Sequence, residues 1–163
     1  MTPYLLIGFL LFSIGAKQAA TLDDLRAKYR TATTNATVCK QQLSKVKAIR
    51  TPDPLQQAYI GAYFAVWAKH ADAPLTKLNS FKRGKKDLEE AVRRDKDNPE
   101  IRFLRLTIQY HAPRMLRYKD NIRADCAFII KHYQQISPLQ LKDNIKAFLL
   151  STDLLTKEQR KTL

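Results

Sequence analysis

Between Asp87 and Leu106 the chain reads DLEEAVRRDKDNPEIRFLRL, and no other stretch restricts the fold as much. Leu88 and Ala91 fall on one helical face, and charged residues occupy the other. Asp95 to Asn98 then interrupt the pattern, and Pro99 followed by Glu100 suits the first turn of a new helix, where a missing N–H costs nothing. Ile101, Phe103, Leu104 and Leu106 carry the apolar pattern onward. Two amphipathic helices joined by so short a turn fold back as a hairpin, so the run predicts stacked helices.

Other segments extend this reading. Thr21 suits an N-cap, with Asp23 and Asp24 at the positive end of the helix dipole. Leu22, Leu25, Tyr29, Ala32, Ala36, Cys39, Leu43 and Val46 recur three and four apart, which predicts one long helix frayed around Thr33 to Thr37. Asp53 as cap and Pro54 at the first helical position open a second helix to about His70. Apolar on most sides, it should be central, and Ala58, Gly61, Ala65 and Ala68 offer small surfaces for close neighbours. Ala73 to Thr76 reads as a loop, followed by a third helix with the stripe Phe81, Gly84, Leu88 and Ala91. Its other face sets charges four apart: Glu89 with Arg93, Glu90 with Arg94, and Lys86 with Glu90.

The fourth helix, Pro99 to about His111, is apolar over most of its circumference, and Arg102, Arg105 and Gln109 share the remaining strip. Pro113 stops it, and Arg114 to Asn121 form a basic connection. Ile122, Cys126, Ile129 and Tyr133 mark a fifth helix. Ser137 as cap with Pro138 at the first helical position begins a sixth, carrying Leu141, Ile145 and Phe148. Thr156 to Gln159 resembles a capping box for a short terminal helix. No segment alternates with period two. The expected fold is all-α, about six helices in antiparallel hairpins, one domain over residues 21–163.

Residues 1–20 differ from the remainder of the chain. Tyr4 to Ile14 is an uncharged apolar run, and Gly15, Ala16, Ala19 and Ala20 come after it. A helix from Tyr4 to Ala16 would span roughly 20 Å, short of a bilayer core of about 30 Å. That length fits a signal peptide ending near Ala20, with an uncleaved N-terminal anchor as the alternative. Export to the periplasm or cell envelope is the expectation. In an oxidising compartment Cys39 and Cys126 admit either a disulfide or two buried thiols. Asn35-Ala36-Thr37 is a glycosylation sequon.

Lysine and arginine total 29 against 15 acidic residues, a formal net charge of +14. Such an excess suits an anionic partner, whether nucleic acid, envelope lipid or an acidic protein, or simply a solvated surface. His70, His111 and His132 lack the spacing that sets two ligands on one helical face, and no glycine-rich phosphate loop or nucleophile motif occurs. The sequence therefore predicts no metal, no cofactor and no catalytic residue. Its best candidate site is cationic: Arg102 and Arg105 on the fourth helix, Tyr118 and Asn121 on the connection, Lys82 and Lys85 on the third. Paired N–H donors let arginine hold carboxylate or phosphate. The alternative is internal pairing of both arginines with Asp87, Asp120 or Asp125.

Phe81-x-x-Gly84-x-x-x-Leu88-x-x-Ala91 followed by Asp95-x-Asp97-Asn98-x-Glu100 resembles the second half of a tetratricopeptide repeat and its junction. Lys96 stands where that pattern has proline. The resemblance implies stacked helical hairpins with a concave binding face. More broadly, Pro74-x-x-Lys77-Leu78-x-x-Phe81-Lys82-x-Gly84-Lys85-Lys86, Asn98-x-Glu100-Ile101-Arg102-Phe103-Leu104-Arg105 and Tyr118-x-x-Asn121-Ile122-x-x-Asp125 resemble short exported α-helical proteins of Bacteroidetes-type bacteria. That likeness implies fold and export and supplies no catalytic residues. The expected function is a non-enzymatic scaffold of the periplasm or cell envelope, binding a protein or an anionic ligand through a basic concave face. General polyanion binding, to nucleic acid or anionic envelope lipid, is the second reading, and an enzyme with an unrecognised site is the third.

Overall fold

The computed structural model describes residues 21–163, so the export signal read over residues 1–20 lies outside the described part. Among the described residues there are eight α-helices, two short 3-10 turns and no strand. Helices α1 (Leu22–Ala32) and α2 (Ala36–Val46) replace the single long helix expected there. The break has a local cause. The hydroxyls of Thr33 and Thr34 donate back to the carbonyls of Arg30 and Thr31, and the Asn35 side chain accepts from Val38 N at 3.0 Å to restart the helix. Short polar side chains compete with the helical ladder in this way. Leu25, Tyr29, Ala32, Cys39, Leu43 and Val46 are nevertheless all buried, so the stripe survives the break.

Helix α3 (Pro54–His70) opens on a capping box of Asp53 and Gln56, and every residue from Ala58 to Val66 is buried. It is the central rod, as its all-round apolarity predicts. Helix α4 (Pro74–Arg94) begins at Pro74, within the segment whose sequence reads as a loop up to Thr76. Pro74 sits in the first turn, where proline's fixed φ and absent N–H suit a helix start. Helices α3 and α4 cross with their backbones in contact. A Cβ added at Gly84 would lie 2.6 Å from both Ala65 N and Gly61 O, and one at Gly61 would lie 2.8 Å from Gly84 O. No side chain fits at either position.

The turn at Asp95 to Asn98 reverses the chain as expected. Asn98 accepts from Glu100 N and Ile101 N and so caps α5 (Pro99–His111). Two buried clusters meet on this helix. Ile101 and Leu104 join the first, with α1, α2, α3 and α4; Phe103 and Leu106 join the second, with the helices C-terminal to α5. That double duty explains its broad apolar surface. A 3-10 turn (Arg114–Leu116) ends at Arg117, a non-glycine residue with φ 46°. Then come α6 (Ile122–His132), a second 3-10 turn (Tyr133–Gln135), α7 (Leu139–Leu150) and α8 (Lys157–Thr162). Pro138 is the residue before α7, not its first helical residue. The terminal capping box forms as expected, with Thr156 and Gln159 each accepting from the other's backbone N–H.

Candidate functional site

The arginine strip of α5 faces inward. Asp125 on α6 has no solvent exposure and receives Nε and Nη2 of Arg105, each at 2.8 Å, and Nη1 of Arg102 at 3.0 Å. Nη1 of Arg105 turns to Glu89 on α4 at 2.9 Å, and the Tyr118 hydroxyl donates to the other oxygen of Glu89 at 2.7 Å. Arg102 spends its Nε on the Lys96 carbonyl and lies over the Phe128 ring, 4.2 Å from its centroid. Asn121 accepts from the fully buried Gln109. Burial first, and then the hydrogen bond to Glu89, push the Tyr118 phenol well above its ordinary range. These groups join α4, α5, the 113–121 connection and α6 through charge-assisted hydrogen bonds. Lys85 lies 4.9 Å from the centroid of the Tyr118 ring, and Lys82 is exposed. Of the sequence-predicted set, the structure therefore brings Arg102, Arg105, Tyr118 and Asn121 into a structural network, with Lys85 against its edge and Lys82 outside it.

The concavity lies elsewhere. A groove of about 1280 Å³ runs between α1, α3 and α4 on one side and α5 and α7 on the other, and Met115 and Leu116 from the 3-10 turn also line it. Phe103, Ile108, Ala112, Leu116, Leu141 and Phe148 give it apolar walls. Phe148 meets the edges of Phe103 and Tyr110 at centroid separations of 5.5 and 5.7 Å, which fixes α7 against α5. Of the groove's buried polar groups, Tyr59 donates to Glu100, and Tyr29 and Thr107 satisfy each other. The Thr107 hydroxyl donates to Leu104 O, so the Tyr29 hydroxyl donates to Thr107, at 2.9 Å. Burial pushes the Tyr29 phenol up to about 12. His111 spends Nδ1 on the Thr107 carbonyl.

Cations border this apolar trough. Arg26 is committed to Glu100, with two hydrogen bonds at 2.8 and 2.7 Å, and Tyr59 donates to the same carboxylate. Lys69 donates to Thr33 O at 3.1 Å and is otherwise exposed. Arg30 and Lys77 are exposed and have no acidic partner among the described residues. None of Arg102, Arg105, Tyr118, Asn121, Lys82 and Lys85 lines the groove.

Cys39 and Cys126 are free thiols in this structure, one in each of the two large clusters. Burial pushes the Cys39 thiol up to about 12 and Cys126 up as well, so both are poor nucleophiles. Among the described residues no group of three or more His, Cys, Asp or Glu side chains is arranged to hold a metal ion, and no helix is long and apolar enough to cross a membrane. No protein-family model matches the chain, and comparison with curated proteins and with solved structures returns no match.

Sequence reasoning missed the groove because its walls come from five helices, and each of their apolar residues, taken alone, reads as core. One signal was present. Leu75 and Leu78, where the pattern reads as loop and helix start, and Met115, in a basic connection, are large apolar residues in polar surroundings. All three are exposed, and Leu78 and Met115 line the groove.

Proposed function

We propose that this chain is a helical binding protein of the cell envelope that holds an anionic amphiphile, with its acyl part in the groove and its acidic head among Arg30, Lys69 and Lys77. The observation that carries this reading is a trough of about 1280 Å³ with apolar walls and, in its lining, three cations, Arg30, Lys69 and Lys77, that have no acidic partner among the described residues. It exceeds the roughly 300–1,000 Å³ of ordinary small-molecule pockets. Its buried hydroxyls are already hydrogen-bonded within the protein, so an extended peptide would leave the backbone N–H and C=O groups it pressed against the apolar walls without partners, at a cost of about 1–3 kcal/mol for each one buried. An acyl chain carries no such groups, and each buried methylene favours binding by about 0.8 kcal/mol. The apolar N-terminus of the sequence supports placement in the envelope.

Titration with the fluorescent fatty acid cis-parinarate tests this. Ala147 lines the groove and is exposed, so Ala147→Trp fills the trough without entering the core. It should weaken parinarate binding at least about tenfold. Arg30→Glu with Lys77→Glu should weaken the fatty acid but not the uncharged alcohol of the same chain length. General polyanion binding predicts the opposite pattern: indifference to Ala147→Trp, and duplex DNA bound with an affinity falling about 0.9 log units per neutralised phosphate per log unit of salt. An amphipathic acidic helix that displaces parinarate while oleate does not would transfer the groove to a peptide partner and end the lipid reading.

A further inference from the structure

At one end of the groove three large apolar side chains stand in solvent. Leu75 and Leu78, three apart on the first turns of α4, are 68% and 40% exposed, and Met115 at the centre of the 3-10 turn is 85% exposed. Leu78 and Met115 line the same groove, so the two segments meet at its mouth. Phe81 and Tyr118 hold them together, ring edge to ring face at 5.9 Å, above a small cluster with Ala112 and Leu116. Arg117, in the left-handed region at φ 46°, closes the turn that lifts Met115 outward.

The surroundings of these apolar tips are cationic. Lys77 lies between the two leucines, Lys82 follows Leu78 by one turn, and Arg114 and Arg117 flank Met115. All four are exposed and none has an acidic partner among the described residues. Asp72 and Asp120 are the acids on the adjoining segments, both exposed and outnumbered. An exposed leucine or methionine gains nothing from water, and unpaired lysine and arginine gain nothing from a neutral surface. A leaflet of anionic lipid satisfies both, since each cation near such a surface contributes about 1 kcal/mol and each buried methylene about 0.8 kcal/mol.

We infer that the Leu75–Leu78–Met115 tip is a membrane-docking site that seats on an anionic lipid surface and sets the groove mouth against it. This deepens the amphiphile reading, because a ligand that enters the groove beside Lys77 would pass from the leaflet without crossing water.

The test uses the full chain with an environment-sensitive nitrobenzoxadiazole probe on Met115→Cys. Cys39 and Cys126 are buried, so the unsubstituted chain serves as the labelling blank. A probe on Lys40→Cys in α2, a helix with no described residue in the groove, is the reference. Site-specific labels report these positions whatever residues 1–20 do at the bilayer. On phosphatidylglycerol vesicles the probe at position 115 should shift to the blue and be quenched by brominated acyl chains, while the probe at position 40 stays in water. On phosphatidylcholine vesicles neither should move. Arg114→Glu with Arg117→Glu lies outside the groove and should lower insertion at least about tenfold, at about fivefold per charge, while parinarate uptake from dispersed solution is unchanged. If the probe at position 115 remains aqueous on vesicles that hold the protein, or inserts equally into neutral ones, the inference is overturned. If dispersed parinarate does not bind while the probe at position 115 inserts, the docking site stands and the groove reading falls.

Discussion

Asp125 has no contact with solvent and sits between two guanidinium groups, and the consequence of removing it is correspondingly large. Arg105 gives it two parallel N–H bonds and is itself only 6% exposed at the side chain. Asp125→Ala would leave Arg105 buried with only Glu89 to answer it, and breaking a buried pair in this way costs about 3–5 kcal/mol. Chemical denaturation should show the loss as a lower midpoint with an unchanged slope. A change below about 1 kcal/mol would mean that the arginines are not structural. The tyrosines make a second prediction at this scale. Burial, as the largest cause, raises Tyr29 to about 12 and moves Tyr59, Tyr63 and Tyr118 higher. For a phenol, a folded pKa above the unfolded value near 10 means that the native state binds more protons, so stability falls as pH rises past about 10. Absorbance at 295 nm should therefore show these tyrosines ionising together with loss of helix circular dichroism. Smooth ionisation near pH 10 with the helix signal intact would contradict their burial.

Among the elements, the α3–α4 crossing is the least forgiving. The Gly61 and Gly84 backbones touch, and a methyl at position 84 would meet main-chain atoms that cannot rotate away. Gly84→Ala should destabilise by about 1–3 kcal/mol in spite of alanine's better helix propensity, as overpacking does. If thermal unfolding instead shows a gain, the two helices do not cross at this point. How far the elements could be read from sequence depended on punctuation. The α4–α5 hairpin was legible because polar residues, Pro99 and Glu100 interrupt the apolar pattern together. The α1–α2 break was visible only as fraying, because the turn at Thr33 to Asn35 keeps both halves of the stripe facing the same core. Pro74 misled in the other direction: proline fits a loop and a first helical turn equally well, and only the chain's course decided between them.

For the molecule as a whole, an all-α stack and a central α3 followed from hydrophobic periodicity, while the site did not. Arg102 and Arg105 drew attention as cations on an apolar helix, and that same apolarity is why they are buried and neutralised by Asp125 and Glu89. The groove depends on how α7 lies against α5 across Phe103 and Phe148, a long-range arrangement that no local spacing encodes. The two features also differ in kind: the charge network braces the elements, and the groove leaves apolar walls open to a ligand. The most direct measurement is a crystal structure of the protein with a terminally brominated fatty acid, read by the anomalous signal of bromine. A single strong bromine peak is expected between Phe103, Ile108 and Phe148, with the carboxylate toward Arg30, Lys69 and Lys77. A peak outside the groove, or a groove without bromine at saturating ligand, would contradict it.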